Sequence, residues 1–309
     1  MNSIGQPAAA HERAFLQSVV YSALFEYPLT VAQLHETLIG EEVDESLLLR
    51  WYAASPFLQA NIDYEAGFFF PRGHRGLVEH RQQRETTSRR LLRTLSRPLK
   101  LLTRLPFVRM VALSGSLAHL NGDEHADLDV FVVTSRHRVW TYTVTALALA
   151  RIFGWRRRLC LNYVVSERAL WVAPADLFSA NQIVHLQPVM GERTYRRFLE
   201  ANRFVERFYP NFKPRTIPVD IHCSPAIGAR PLEMLLDWTI APVLEPLCRF
   251  IYRTHLRNRA HTWRSRDQVR LEPECLKLHT SSHRHEVMER FERALEEALA
   301  ANLDAASGL

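Results

Sequence analysis

The sequence predicts an α+β fold, with a small mixed β-sheet core between an N-terminal helix-and-hairpin unit and a helical C-terminal region. Three observations predict it. Apolar residues recur at helical spacing through the first 54 positions. Three β-branched runs cluster between positions 106 and 175. From about Asp176 onward the apolar pattern returns to a helical period. With 309 residues, 47% apolar and 23% charged, the chain can bury a sizeable core. That composition excludes a disordered tail, a collagen-like rod and a disulfide-dense miniprotein.

Residues 1–75 read as one unit. A helix over Ala14–Glu26 breaks at Tyr27-Pro28, and Thr30 is placed to cap a second helix through Ile39. Asp44 is placed to cap a third helix reaching about Ala54. Two strand-like runs follow, Phe57–Ile62 and Phe68–Phe70, joined through residues 63–67. Three helices and then a hairpin is the order of a winged helix-turn-helix. The charge argues against DNA as its ligand: four arginines stand against nine carboxylates, net −5, and the helix that would read bases opens with Glu41, Glu42, Asp44 and Glu45. Docking within the protein is the expected use.

Residues 76–105 carry eight basic and two acidic side chains and read as a solvated basic connecting helix, broken near Ser96-Arg97-Pro98. Residues 106–175 read as strand (Val108–Leu113), turn, strand (Leu128–Thr134), helix (Arg138–Phe153) and strand (Leu159–Val165). Residues 176–309 read as helices over Asp176–Leu186, Thr194–Phe208, Leu232–Asn258 with breaks at Pro242 and Pro246, and Arg284–Ala301. The densest basic stretch of this half, Arg249 to Arg270, reads as a surface helix whose arginines lay their stems along it.

The overall charge of +6 suggests an anionic partner. Four scattered cysteines, Cys160, Cys223, Cys248 and Cys275, form no CxxC pair and read as reduced thiols. No leader pattern opens the chain, and the uncharged, apolar-leaning run Val139–Ala150 is too short to span a bilayer. A cytoplasmic protein with no membrane partner is expected.

The chemistry concentrates in Val111–Thr134, VALSGSLAHLNGDEHADLDVFVVT. One strand ends in Ser114-Gly115-Ser116 and the next begins with Asp127-Leu128-Asp129. Alternate strand residues share a face, so the two carboxylates point the same way and repel unless a cation sits between them. Hard oxygen ligands favour Mg²⁺, which also binds substrate phosphates. Gly115 lets a ligand approach the backbone, and Ser114 and Ser116 offer groups suited to phosphate oxygens. His119 and His125 flank the motif and read as solvated loop histidines. His279, His283 and His285 lie close in sequence but lack the further ligands a metal site needs.

A Gly-Ser turn, a spacer of ten residues (117–126), Asp-x-Asp and a following apolar strand resemble the mark of the DNA polymerase β-like nucleotidyltransferase superfamily. The wider layout resembles uncharacterised bacterial nucleotidyltransferases with an N-terminal winged-helix unit, in which segments like LCLNYVVS and EANRFVERFYPNF recur. The resemblance implies transfer of a nucleoside monophosphate from an NTP to a hydroxyl acceptor with release of pyrophosphate. Asp127 and Asp129 would hold Mg²⁺ or Mn²⁺, and Ser114, Gly115 and Ser116 the triphosphate. Asn202 and Arg203 would close over the nucleotide. The acceptor would be a small molecule or protein ahead of RNA. One departure stands out: members usually carry a third carboxylate on a later strand, where this chain offers only Asn162. Glu167, just past the strand, and Asp123 or Glu124, in the loop, are the other candidates. A catalytically weak nucleotide sensor signalling through the N-terminal unit is therefore the alternative, and a DNA-binding regulator a third, disfavoured reading.

Overall fold

The computed structural model describes residues 9–214, 223, 229–278 and 283–307. Helix α1 (Ala10–Ala23) buries Phe15, Leu16, Val19 and Val20. A short strand β1 (Leu29–Thr30) leads into α2 (Val31–Glu36). There Thr30 Oγ1 accepts from the Gln33 N–H at 3.3 Å, and the Gln33 side chain accepts from the Thr30 N–H at 3.1 Å. Helix α3 (Glu45–Ala54) starts at Asp44, whose carboxylate accepts from Ser46 N–H at 2.8 Å. Both caps fall where the sequence places them.

The next segment departs from expectation. Pro56–Asn61 is a helix, α4, rather than the start of a strand. Ser55 Oγ accepts from Leu58 N–H at 3.1 Å, and Pro56, with φ already helical, fills the first position. Strand β2 (Ile62–Glu65) begins only afterwards and pairs antiparallel with β3 (Phe68–Pro71), giving a three-stranded sheet in the order β1-β3-β2.

Helix α5 (Gly76–Thr94) and α6 (Ser96–Leu102) meet at Leu95, close to the expected break. The expectation of a solvated helix is corrected. Arg81 is 4% exposed, lies 3.5 Å over the Tyr27 ring and donates to the Pro28 carbonyl at 3.1 Å. Arg84 pairs with Glu26, Ser88 Oγ accepts from Gly122 N–H at 2.8 Å, and Arg90 pairs with Glu124 at 2.5 Å. Arg81, Arg84 and Ser88, three and four residues apart, share a helix face, and with Arg90 they strap the N-terminal unit to the loop that carries the motif.

Strand β4 (Val108–Leu113), the one-turn helix α7 (Gly115–Ala118), β5 (Leu128–Thr134), α8 (Val139–Ile152) and β6 (Leu159–Ser166) follow in the expected order. The C-terminal half is less purely helical than expected. After α9 (Leu177–Val184) comes β7 (Gln187–Met190). Helices α10 (Glu192–Ala201), α11 (Val205–Phe208), α12 (Ala229–Trp238) and α13 (Ala241–Asn258) precede a hairpin of β8 (Val269–Glu272) and β9 (Cys275–Leu278), and α14 (Arg284–Ser307) closes the described chain. These three strands have four residues each, too short for alternation to show in the sequence.

The larger sheet runs β7-β4-β5-β6-β9-β8. Only β5 and β6 pair in parallel, joined by the crossover helix α8; the other pairings are antiparallel. Met110, Ala112, Phe131 and Val133 face a core shared with the N-terminal unit, α9, α10 and α14. Val111, Leu113, Val130 and Val132 face a second core under α6 and α8. Tyr21 of α1 meets Phe291 of α14 edge-on at 5.0 Å between ring centroids. Among the described residues, no helix is long and apolar enough to cross a membrane.

Candidate active site

Antiparallel pairing of β4 with β5 joins the two halves of the motif. Leu113 lies opposite Val130, and Ser114 N–H donates to the Asp129 carbonyl at 2.9 Å. The chain therefore leaves one strand beside the point where Asp127 and Asp129 enter the next. Gly115 has φ of +64°, and a Cβ there would stand 2.4 Å from Asp129 Oδ2 and 3.1 Å from its Cβ and Cγ. Glycine is required twice over, by backbone conformation and by the carboxylate against it. The Ser116 carbonyl accepts from Asn121 N–H at 2.8 Å, folding the spacer back on the turn.

Cys160, opposite Asp129 on β6, donates its thiol to Asp127 Oδ2 at 3.6 Å. Burial first, then the charges of Asp129 and Asp127, push this thiol up to about 12. Both carboxylates thus act on one sulfur and lie on the same side of the strand, as period-2 alternation requires.

The third-ligand expectation is corrected in part. Asp129 faces Cys160 but Phe131 faces Tyr163, so β6 carries one extra residue at Leu161–Asn162. The bulge reverses the alternation: Cys160 lies with the carboxylates, whereas Val164 packs with Val132 in the opposite core. Asn162 is within this bulge, and its side chain lies outside the described residues. Glu167 N–H bonds to the carbonyl of Thr134, at the far end of β5 from the two aspartates, so Glu167 is no third ligand. Glu124 is held by Arg90, and Asp123 accepts from His125 N–H at 2.8 Å.

Ser114, Gly115, Ser116 and Asp129 border a cavity of about 490 Å³. Its other walls are Ser22, Phe25 and Tyr27 of the N-terminal unit, Phe131 and Tyr163 of the sheet, Phe178, Asn181 and His185 of the α9 region, and Phe198 of α10. Among the described residues, Asp129 is the one carboxylate in the lining, and no Lys or Arg lines it. His119 is not solvated: its ring meets Tyr27 at 4.9 Å and His185 at 4.8 Å, and its Nδ1 is buried without a partner. Burial holds His119 well below the usual 6.5, helped by the neighbouring His185 and Arg81, and lowers His185 too. Beyond this aromatic cluster lies a second cavity of about 610 Å³, bordered by Thr30, Glu36, Arg81, Glu85 and Arg89.

The chain matches no family model, no curated protein and no solved structure. Function must therefore be argued from the site itself.

The structure does not bring every expected residue to that site. Asn202 is 1% exposed, and its amide is spent on backbone: it accepts from Val172 N–H at 2.8 Å and donates to the carbonyls of Leu170 and Phe198. Arg203 is exposed and does not border the cavity. Of the C-terminal histidines, His283 lies beside Glu286 at 3.2 Å and His279 lies outside the described residues. The basic group that does reach the motif is the Arg156-Arg157-Arg158 turn before β6. Arg156 lowers the Cys160 thiol against the carboxylates' effect, and Arg158 donates to the carbonyls of Glu124 and Ala126 at 3.2 and 3.5 Å. The run of three arginines was visible in the sequence, but its place beside Asp127 needs the parallel β5–β6 pairing.

The donor set suits a divalent cation. Two carboxylates converge near Cys160, and no Lys or Arg pairs with Asp127 among the described residues. No group of three or more His, Cys, Asp or Glu side chains forms a closed metal cluster among those residues. Two protein carboxylates with the remaining ligands from water and phosphate is the pattern by which Mg²⁺ binds.

Proposed function

We propose that the protein is a metal-dependent nucleotidyltransferase of the polymerase β-like kind, its N-terminal unit being of winged-helix type. The carrying observation is the Gly115–Asp129 contact. The Gly-Ser turn and the Asp-x-Asp carboxylates, fourteen residues apart at Gly115 and Asp129, form one surface with a cavity beside it. The helix and strand order of residues 10–71, with sheet order β1-β3-β2, supports the winged-helix reading.

Asp127 and Asp129 would hold Mg²⁺ or Mn²⁺, which would neutralise phosphate charge and polarise the α-phosphorus. Ser114, Gly115 and Ser116 present backbone and hydroxyl groups to the triphosphate, and Arg156 and Arg158 add positive charge on the side of Asp127 and Cys160. No Lys or Arg is among the described residues of the lining, so the part of the cavity away from the Gly-Ser turn suits an uncharged group. A hydroxyl presented from the cavity attacks the α-phosphorus, the new P–O bond forms, and the bond to pyrophosphate breaks. Asp129, the one carboxylate among the described residues of the lining, is placed to take the hydroxyl proton.

One observation favours the sensor as a second reading. Ser22, Phe25 and Tyr27 of the N-terminal unit wall the cavity, and β6 sets a thiol beside the two aspartates. The test incubates the protein with each α-labelled NTP, Mg²⁺ or Mn²⁺, and cell extract. Label on an acceptor, lost in Asp127→Ala/Asp129→Ala, is expected. Nucleotide binding without transfer supports the sensor, and transfer surviving in the double variant overturns the site.

A further inference from the structure

Helices α12 and α13 form a hairpin whose outer face is apolar and is exposed among the described residues. Of the fourteen exposed large apolar side chains among the described residues, nine fall between Leu232 and Ile251. Trp238 is 89% exposed, Phe250 70% and Val243 68%. Single exposed apolar residues are ordinary, but a contiguous group of this size marks a contact surface. The spacing is helical: Leu235 and Trp238 on α12, then Val243, Leu247 and Phe250 on α13. The opposite face of α13, with Ala241, Cys248, Tyr252 and Leu256, packs on the protein.

The charges sort by partner. Glu233 and Glu245 are buried, and Asp237, still 47% exposed, is neutralised by Arg138, so each carboxylate of the hairpin has a partner on the protein. Glu233 binds Arg109 at 2.8 Å and Phe107 N–H, Asp237 binds Arg138 at 2.6 Å, and Glu245 accepts from Trp140 N–H and Thr141 N–H at 3.0 and 2.8 Å. No carboxylate pairs with Arg249 or Arg257 among the described residues. What remains outward is a Trp-, Phe- and Leu-rich face with a cationic rim.

A second copy of the chain would set arginines against arginines. A single-stranded polynucleotide offers phosphates, and bases that could stack on Trp238 or Phe250, but no apolar layer for Val243, Leu247 and Ile251 between them. An anionic phospholipid surface offers both an apolar layer and negative headgroups. We propose that α12 and α13 seat the protein peripherally on an anionic bilayer. A peripheral seat of this kind needs no helix able to span a membrane, and none occurs among the described residues. It does not depend on the transfer activity.

The test is co-sedimentation of the full chain with phosphatidylcholine vesicles, with and without phosphatidylglycerol. Binding to the anionic vesicles alone, weakening as salt rises, is expected. Trp238→Ser with Phe250→Ser lowers affinity roughly 100-fold, about ten-fold for each buried ring lost. Arg249→Gln with Arg257→Gln lowers it about 25-fold, five-fold for each cation. Trp238, Phe250 and Arg257 are exposed and Arg249 is half-buried, and circular dichroism checks that each variant folds. Failure to bind anionic vesicles, equal binding to neutral ones, or indifference to both pairs of substitutions overturns the proposal. So does a solution dimer, or RNA retention, that Trp238→Ser abolishes while vesicles are ignored.

Discussion

Gly115→Ala separates two effects that glycine has at the motif. An alanine at φ +64° carries the left-handed penalty of about 1–2 kcal/mol. Its Cβ would also sit 2.4 Å from Asp129 Oδ2, where ordinary contact begins near 3.4 Å. The carboxylate must therefore retreat by roughly 1 Å, a displacement that can cost about a hundred-fold in a positioned reaction. Gly73→Ala is the matched control, with φ of +79° and nothing within 4 Å of its would-be Cβ. Urea unfolding should show both variants destabilised by about the same 1–2 kcal/mol. Isothermal titration with Mn²⁺ and NTP should show binding lowered at least about ten-fold in Gly115→Ala and unchanged in Gly73→Ala. The reactivity of Cys160 supplies a ligand-free readout, because the thiol responds to where Asp129 sits. If the two variants behave alike in binding and in thiol reactivity, the Gly115–Asp129 contact does not organise the site.

Three further outcomes follow from the same structure. Asp127→Asn with Asp129→Asn removes charges that disfavour the Cys160 thiolate, so its pKa falls from about 12. Alkylation of Cys160 at pH 9, followed by mass spectrometry, should quicken about ten-fold per unit of fall; an unchanged rate would mean burial alone sets the thiol. Glu245→Ala strips acceptors from the buried N–H groups of Trp140 and Thr141 at the start of α8, which has no cap of its own. A loss of about 3 kcal/mol in urea unfolding is expected, and less than about 1 would refute the capping role. Finally, burial keeps His119 and His185 neutral in the folded protein below their usual 6.5. The unfolded chain then binds more protons there, so stability is held above pH 6.5 and lost on acidification. The slope is up to about 1.4 kcal/mol per pH unit for each histidine. His119→Asn with His185→Asn should flatten it between pH 6.5 and 5, and an unaltered slope would remove these two groups from the account.

The sequence by itself determined the local features. Thr30 and Asp44 cap the helices they were expected to cap, because a cap needs only the side chain and the next two or three N–H groups. Strands β4 and β5 keep the expected boundaries, since long β-branched runs fit little else. Asp127 and Asp129 share a side because alternation is a property of one strand. Where two elements must meet, the tertiary structure decided. The bulge at Leu161–Asn162 exists only as a mismatch between β5 and β6, and it sets Cys160 and Val164 on opposite faces of the sheet. Asn202 looked free for a ligand until the turn after β6 claimed its amide. Arg81, His119 and Tyr27 lie far apart in the chain, and only packing made them one cluster beside the motif. The pairing of Glu233, Asp237 and Glu245 was settled the same way, by partners on β4 and α8, and it leaves the outer face of α12 and α13 apolar and basic. Periodicity reports which residues share a face of one element, whereas what that face touches depends on contacts between residues distant in the chain.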